Sequence, residues 1–266
     1  MPSRWSAIFF ARRKGNAEVL PRFGRAIGAL AAFLLLALVF SFAFSRLQYG
    51  WDWSAIYRYR QKFVTGWLVT LAISAASLVA SIVIGLSAAL AQRSAFLPLR
   101  YLGKIYIELI RGTPLLVQIL IFFYVVADAF GIGNRYVVGA LTLALFAGAY
   151  ISEIIRAGIE SIGESQLESA RAIGLTRRQT YRYVVFPQVM RRILPPLAGQ
   201  FASLIKDSSL LSIIAVNEFT LNAQEVNSFT YSTLESYLPL AIGYLALTLP
   251  ISLLSRYLEG RYRYAS

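Results

Sequence analysis

Six ionisable residues stand within or at the edge of long apolar runs, and they come in pairs: Glu108 with Arg111, Glu153 with Arg156, and Lys206 with Asp207. A charge inside a membrane span costs about 2.5–3.5 kcal/mol on insertion scales, so it faces a partner or a polar cavity. Members of the first two pairs are three apart, which sets them on one helix face. Two readings stay open for those four: ion pairs that anchor helices near a boundary, or groups that line a route through the layer. Lys206 and Asp207 are neighbours, so they point about 100° apart around a helix and need not bond each other. They fall near the middle of their run, which favours a route. Opposite charges shown to one dry cavity suit a zwitterion. Asp207 or Glu153 can meet an ammonium, and Arg111 or Lys206 a carboxylate. Ser208, Ser209, Thr113 and Gln118 add neutral hydrogen bonds.

Other chemistry is excluded by what the chain lacks. It has no Cys and no His, which removes disulfides, thiol nucleophiles, imidazole bases and the usual zinc, copper and haem sites. No metal or cofactor site is expected. No G-x4-G-K-[ST] stretch occurs, so the chain has no phosphate-binding loop of that kind. No G-x-S-x-G occurs either; in "GIESIG" (158–163) the serine comes one place late.

The elements that must position these residues are membrane helices. The chain is 57% hydrophobic and 15% charged, against about 25% charged in soluble domains. Six runs reach the roughly 20 residues that a span requires: 26–44, 64–91, 105–127, 137–155, 193–215 and 237–255. The fold class is therefore all-α and polytopic. The first run is too long for a signal-peptide core and reads as a retained anchor. Pro114 and the pair Pro195–Pro196 are expected to loosen the third and fifth spans, and broken spans point to transport sites. Ser74, Ser77, Ser81 and Gly85 place small residues on one face of the second span, where another helix can approach closely. Gly24 and Gly28 form a GxxxG at the start of the first, with Arg25 between them.

Charge sets the orientation. Of the 26 Lys and Arg residues, 19 lie in segments 1–25, 92–104, 156–192 and 256–266, and 5 lie in the alternating segments. The positive-inside rule makes the first set and both termini cytoplasmic. The net charge of +13 is explained by those loops and calls for no nucleic acid. Segment 216–236 holds Glu218, Glu225 and Glu235 with no base, and is expected to face outward.

One cytoplasmic stretch stands out, "ESARAIGLTRRQTYRYVVFP" (168–187). Ser165 with Glu168, and Thr176 with Gln179, are spaced as capping boxes. Gly174 between them can take the left-handed conformation that ends a helix. Pro187 disfavours helical geometry at Phe186. The spacing predicts a helix over 166–173, a turn at Gly174 and a helix over 177–185. Leu167, Ala170 and Ile173 share one face of the first helix, and Tyr181, Val184 and Val185 one face of the second.

This stretch resembles the coupling loop of ABC-importer permeases, the EAA motif E-A-A-x3-G-x9-I-x-L-P. Glu168, Ala170, Gly174 and Pro187 match it; Ser169, Val184 and Phe186 replace Ala, Ile and Leu. "IRGTPLLVQ" (110–118), "YISEIIRAGI" (150–159) and "LIKDSSLLSII" (204–214) are similar to the polar amino-acid branch of that family. The likeness covers roughly 60–258.

The resemblance implies an importer subunit that works by alternating access. Glu168, Ser169, Ala170, Gly174 and Pro187 would receive the push of an ABC ATPase dimer, which alone binds ATP. A second permease subunit and an extracytoplasmic amino-acid-binding protein complete the expected assembly, in a bacterial inner membrane and its lipid. The expected divisions are a basic segment 1–25, a permease domain 26–258 containing the loop 163–187, and a tail 259–266. The competing reading is a secondary transporter or channel that uses no ATPase, which fits the charged spans equally well but not the loop.

Overall fold

The computed structural model describes residues 12–14, 17–19, 22–46 and 49–263. Much of the expected basic segment, with the last three residues, lies outside them. The described residues fall into two units, Met1–Trp51 and Asp52–Ser266.

The first unit contains one short antiparallel pair, β1 (Arg12–Lys14) and β2 (Ala17–Val19), with Arg13 opposite Glu18. It then contains helix α1 (Arg22–Ser45). No residue of Ala26–Ser45 is buried, so this helix offers an apolar surface all round, as a lipid-facing span does. A Cβ added at Gly28 would meet nothing within 4 Å, so Gly28 makes no close contact among the described residues.

Among its described residues the second unit holds helices and short connections and no strand. Helix α2 (Ser54–Gln92) has 39 residues, about 58 Å at 1.5 Å per residue, against a hydrocarbon layer of about 30 Å. Its small residues let α5 (Arg135–Glu160) lie against it. Ser77 Oγ donates to Ala140 O at 3.0 Å, and a Cβ on Gly85 would stand 2.7 Å from Ile151. The successive contacts, 77 with 140 and 85 with 151, make α2 and α5 parallel. Helix α5 starts cleanly because Asn134 accepts from Tyr136 N and Val137 N.

The return path between them is broken. Helix α3 (Leu97–Gly112) and α4 (Leu115–Ile121, extended by a π-helical stretch, Phe122–Ala127) meet at 112°. The expected third span, 105–127, is thus two pieces. The cause is local: Pro114 drives Thr113 into the extended region (φ −123°, ψ 148°). The carbonyls this strands are met by Gln118, whose Nε2 donates to Ile110 O (2.7 Å), Thr113 O (3.1 Å) and Thr113 Oγ1 (2.8 Å).

After α5 come α6 (Glu164–Ala172), a single turn α7 (Arg177–Gln179), a π-helical stretch (Thr180–Val185) and α8 (Phe186–Asp207). The expected fifth span, 193–215, is not one helix. Helix α8 runs through Pro195 and Pro196 and ends at Asp207, and a 3₁₀ stretch (Ser208–Ile214) leads to a left-handed residue, Ala215 (φ 57°). Helices α9 (Phe219–Thr230) and α10 (Thr233–Arg263) finish the unit, with α10 running past residue 259. Among the described residues, four helices are long and apolar enough to cross a membrane, or five if the bent pair counts as one; α8, with its arginines and lysine, is the expected span outside that count.

Apolar clusters are strung along α2. One at its start holds Phe63, Phe219, Ala223 and Val226. A central one holds Ile73, Ile119, Leu143 and Leu211, and a third, near its end, Ala88, Ile107 and Ala149. A fourth, of Ile162, Val185, Val189 and Ile193, lies beyond the end of α5. The α9 cluster and the α6–α8 cluster therefore occupy opposite ends of the unit.

Candidate coupling surface and charged cluster

The stretch 163–187 forms a bent pair of helices, although one of its two expected caps is absent. Helix α6 starts two residues early: Gly163 takes the extended cap conformation (ψ 144°), Ser165 lies inside the first turn, and no side chain caps the end. The Ser165–Glu168 box is therefore not formed. The other end is as expected. Gly174 is left-handed (φ 78°), with Gly174 N bonded to Arg171 O (2.9 Å) and Leu175 N to Ala170 O (3.0 Å). These two bonds are a Schellman ending. The Thr176–Gln179 box is present: Gln179 Oε1 accepts from Thr176 N (2.9 Å), and Thr176 Oγ1 accepts from Gln179 N (3.4 Å).

Pro187 does not stop the helix. Phe186 is helical (φ −57°, ψ −47°) and Pro187 sits in the first turn of α8, directly after the wide π turn. A proline there gives up a donor that the start of a helix leaves unpaired. The chain is consequently helical without interruption from Arg177 to Asp207.

Packing divides the residues of this loop. Ala170 is buried, 3% exposed, and Leu167 packs on the Ile162–Val185–Val189–Ile193 cluster. Arg192 donates to Ser161 O, tying α8 to the loop entrance. Glu168 and Ser169 are exposed. So are Ile173, Tyr181, Tyr183 and Phe186, with Ile173 at 76%. Ile173 does not share the packed face of Leu167 and Ala170, because α6 ends at Ala172 and Ile173 is its C-cap; Tyr181 is exposed where Val185 is buried, so the π turn parts those two. Exposed apolar side chains thus stand among the arginines of this stretch.

A second constellation joins α3 to α5. Arg156 holds Glu153 with both nitrogens at 2.9 Å and reaches Glu160 at 2.6 Å. Arg111 comes from α3 to the same Glu153 at 3.3 Å and lies 5.4 Å over the Tyr150 ring. The expected Glu108–Arg111 pair is replaced by this bridge between helices, because the polar edge of α3 turns toward α5. Glu108 instead lines a cavity of about 600 Å³ together with Gln92, Arg93, Arg100, Lys104 and the Glu153–Arg156–Glu160 ladder.

The remaining expected path residues are scattered. Thr113 and Gln118 are engaged in the break between α3 and α4, with Gln118 Oε1 buried and unpartnered among the described residues. Lys206 and Asp207 lie at the end of α8 and not in mid-helix, with Lys206 exposed and Asp207 half-buried. Ser208 is buried and donates to Ile205 O at 2.8 Å. The structure brings Arg111 and Glu153 together, but not with Lys206 and Asp207.

Sequence reasoning missed a buried acid. Glu218 is 0% exposed and caps α9, accepting from Leu221 N (2.7 Å), Thr220 N (2.8 Å) and Tyr244 OH (2.9 Å). Thr70 of α2 completes the network by accepting from Phe219 N at 3.1 Å. Glu235, also fully buried, accepts from Asp52 N at 2.6 Å. Segment 216–236, the acidic connection expected on the outward side, thus keeps two of its three acids buried. A glutamate is an uncommon cap, so local pattern gave no signal.

The chain as a whole has known counterparts. Residues 81–264 match the family described as binding-protein-dependent transport system inner membrane components. The chain belongs to this family. As an inner membrane component of this kind it resembles, at 35% identity over 75% of its length and 92% of the relative's, the probable glutamine ABC transporter permease protein GlnM of Bacillus subtilis (strain 168). It is 37% identical to the glutamine transport system permease protein GlnP of Escherichia coli (strain K12), across 79% of this chain and 97% of that one. Its fold matches a crystal structure of an amino acid ABC transporter with histidines, at a TM-score of 0.74 and 34% identity, covering 80% of this chain and all of that chain.

Proposed function

We propose that this transport component is the permease of an ATP-driven importer of a polar amino acid, glutamine before others. The observation that carries the reading is the unbroken helical rod from Arg177 to Asp207, about 46 Å long at 1.5 Å per residue. At one end it forms the second half of the bent, exposed surface; at the other it presents Lys206 and Asp207. A push received at Glu168, Ser169, Ile173 and Tyr181 is thereby delivered to a charged pair that suits an amino acid's carboxylate and ammonium.

In this reading the motor is an ABC ATPase dimer, and ATP is bound there and not in this chain, which carries out no chemistry itself. A second permease subunit, identical or related, faces this one. An extracytoplasmic binding protein delivers the amino acid. The end carrying α6 and α7 is cytoplasmic, as are both termini. Arg111 and Glu153 line the cytoplasmic stretch of the path, while Thr113, Gln118 and Ser208 act by fixing backbone breaks.

The test uses the complex in proteoliposomes. Glu168→Lys changes an exposed residue and should lower ATP-dependent uptake at least about tenfold, about 1.4 kcal/mol of coupling, while subunit assembly and thermal stability are unchanged. Uptake at the normal rate would refute the coupling role. Asp207→Asn should lower uptake by a similar factor with the permease–ATPase contact intact; unaltered uptake would place Asp207 off the path. Purification of the permease without any ATPase, still active in uptake, would favour a secondary transporter.

A further inference from the structure

The α2–α3 corner carries charge that the transport reading leaves unused. Arg93 ends α2, and Arg100 and Lys104 sit one turn apart on α3. All three line the same cavity of about 600 Å³. None has a carboxylate within 4 Å among the described residues, whereas Glu153 and Glu160 in that cavity are already held by Arg111 and Arg156. Glu108 is the remaining acid, so three cations there face one acid.

Helix α3 also has an uncovered apolar stripe. Leu102, Ile105 and Leu109 are each more than half exposed, while Gly103, Ile107 and Ile110 are buried. At 100° per residue the stripe 102–105–109 lies beside the edge 100–104–108. A basic edge next to an apolar one, on a helix bent away from its successor by 112°, is the pattern of a segment at the membrane surface.

We infer that Arg93, Arg100 and Lys104 bind the phosphate of an anionic phospholipid, with its acyl chains lying along Leu102, Ile105 and Leu109. Basic pockets between membrane helices take such headgroups. The adjoining apolar stripe assigns the phosphate to a lipid and not to a free anion. The inference rests on the orientation proposed above for its choice of leaflet, the cytoplasmic one. The lipid would brace the α2–α3 corner beside the Arg111–Glu153 bridge.

The experiment is lipid titration of the full-length chain by native mass spectrometry, with phosphatidylglycerol and phosphatidylcholine as probes. The wild type should prefer phosphatidylglycerol by about tenfold or more, and Arg93→Gln/Arg100→Gln/Lys104→Gln together should abolish the preference. Arg171→Gln/Arg177→Gln/Arg178→Gln, an equal charge loss on the loop 163–187, should leave it intact. A preference retained by the first variant, or lost equally in the second, overturns the site. Displacement of the lipid by millimolar inorganic phosphate overturns the choice of a lipid. Should the triple variant fail to fold, Arg93→Gln and Lys104→Gln singly should each weaken binding severalfold, and no change in either would refute the proposal. The chain has no cysteine, so Lys104→Cys can be probed in spheroplasts with an impermeant maleimide. Labelling there would defeat the orientation while leaving the lipid result standing.

Discussion

Two helix starts at opposite ends of the second unit solve one problem in opposite ways. At α7, Thr176 and Gln179 cap each other on the surface. At α9, Glu218 caps from the interior, with Tyr244 also bound to it and Thr70 beside it. The first solution keeps the bend stiff while the neighbouring side chains of Glu168, Ile173 and Tyr181 stay exposed. The second locks α9 against α2 and α10, where Gly66 and Gly243 leave room for Asn222 and Phe219. An exposed bend and an interior clamp can thus be told apart by where their capping atoms lie.

The largest effect is expected from Glu218→Ala. It strips a buried acceptor from two backbone donors and a tyrosine hydroxyl, at about 1–3 kcal/mol for each buried group left unpaired. Thermal unfolding of the detergent-solubilised chain should show a loss of at least about 3 kcal/mol, and an unchanged midpoint would break the comparison. Gly174→Val comes next, forcing a β-branched residue to φ 78° at about 1–2 kcal/mol. Its unfolding should shift modestly, while ATP-dependent uptake falls far more steeply. Equal, small losses in both would mean that the bend is only a turn. Thr176→Ala should cost about 1 kcal/mol, seen as faster exchange of the amides of Arg178 and Gln179. The smallest shift is expected from Arg111→Gln. Its side chain is 42% exposed, so its ion pair contributes under about 1 kcal/mol, and the difference from wild type should vanish in high salt.

What could be read from the sequence follows the range of the interactions. Gly174 and the Thr176 box are settled within four residues, and both were legible. The Ser165 box failed because Gly163 offered a competing start two residues earlier. Pro114 marked the break in the third span, since a proline acts on its own neighbour. Pro187 misled, because a π turn absorbed what a regular helix cannot. Contacts across the chain were invisible: Arg111 reaches Glu153 42 residues on, and Tyr244 reaches Glu218 from 26 residues away. A single sequence shows that these residues are charged or polar, but not which helices bring them together. Lys206 and Asp207 were singled out by their charge within an apolar run, yet their seat at the end of α8 depends on the switch to 3₁₀ geometry, which no local pattern announced.

The amide at position 118 shows how narrow a tolerance such a fold can have. Its nitrogen alone faces three oxygens across the kink. Glutamate would set negative charge against them, leucine would leave them bare, and asparagine would fall a methylene short. The kink between α3 and α4 is therefore expected to accept almost no other residue there, so drift at 118 would betray a copy whose corner no longer closes.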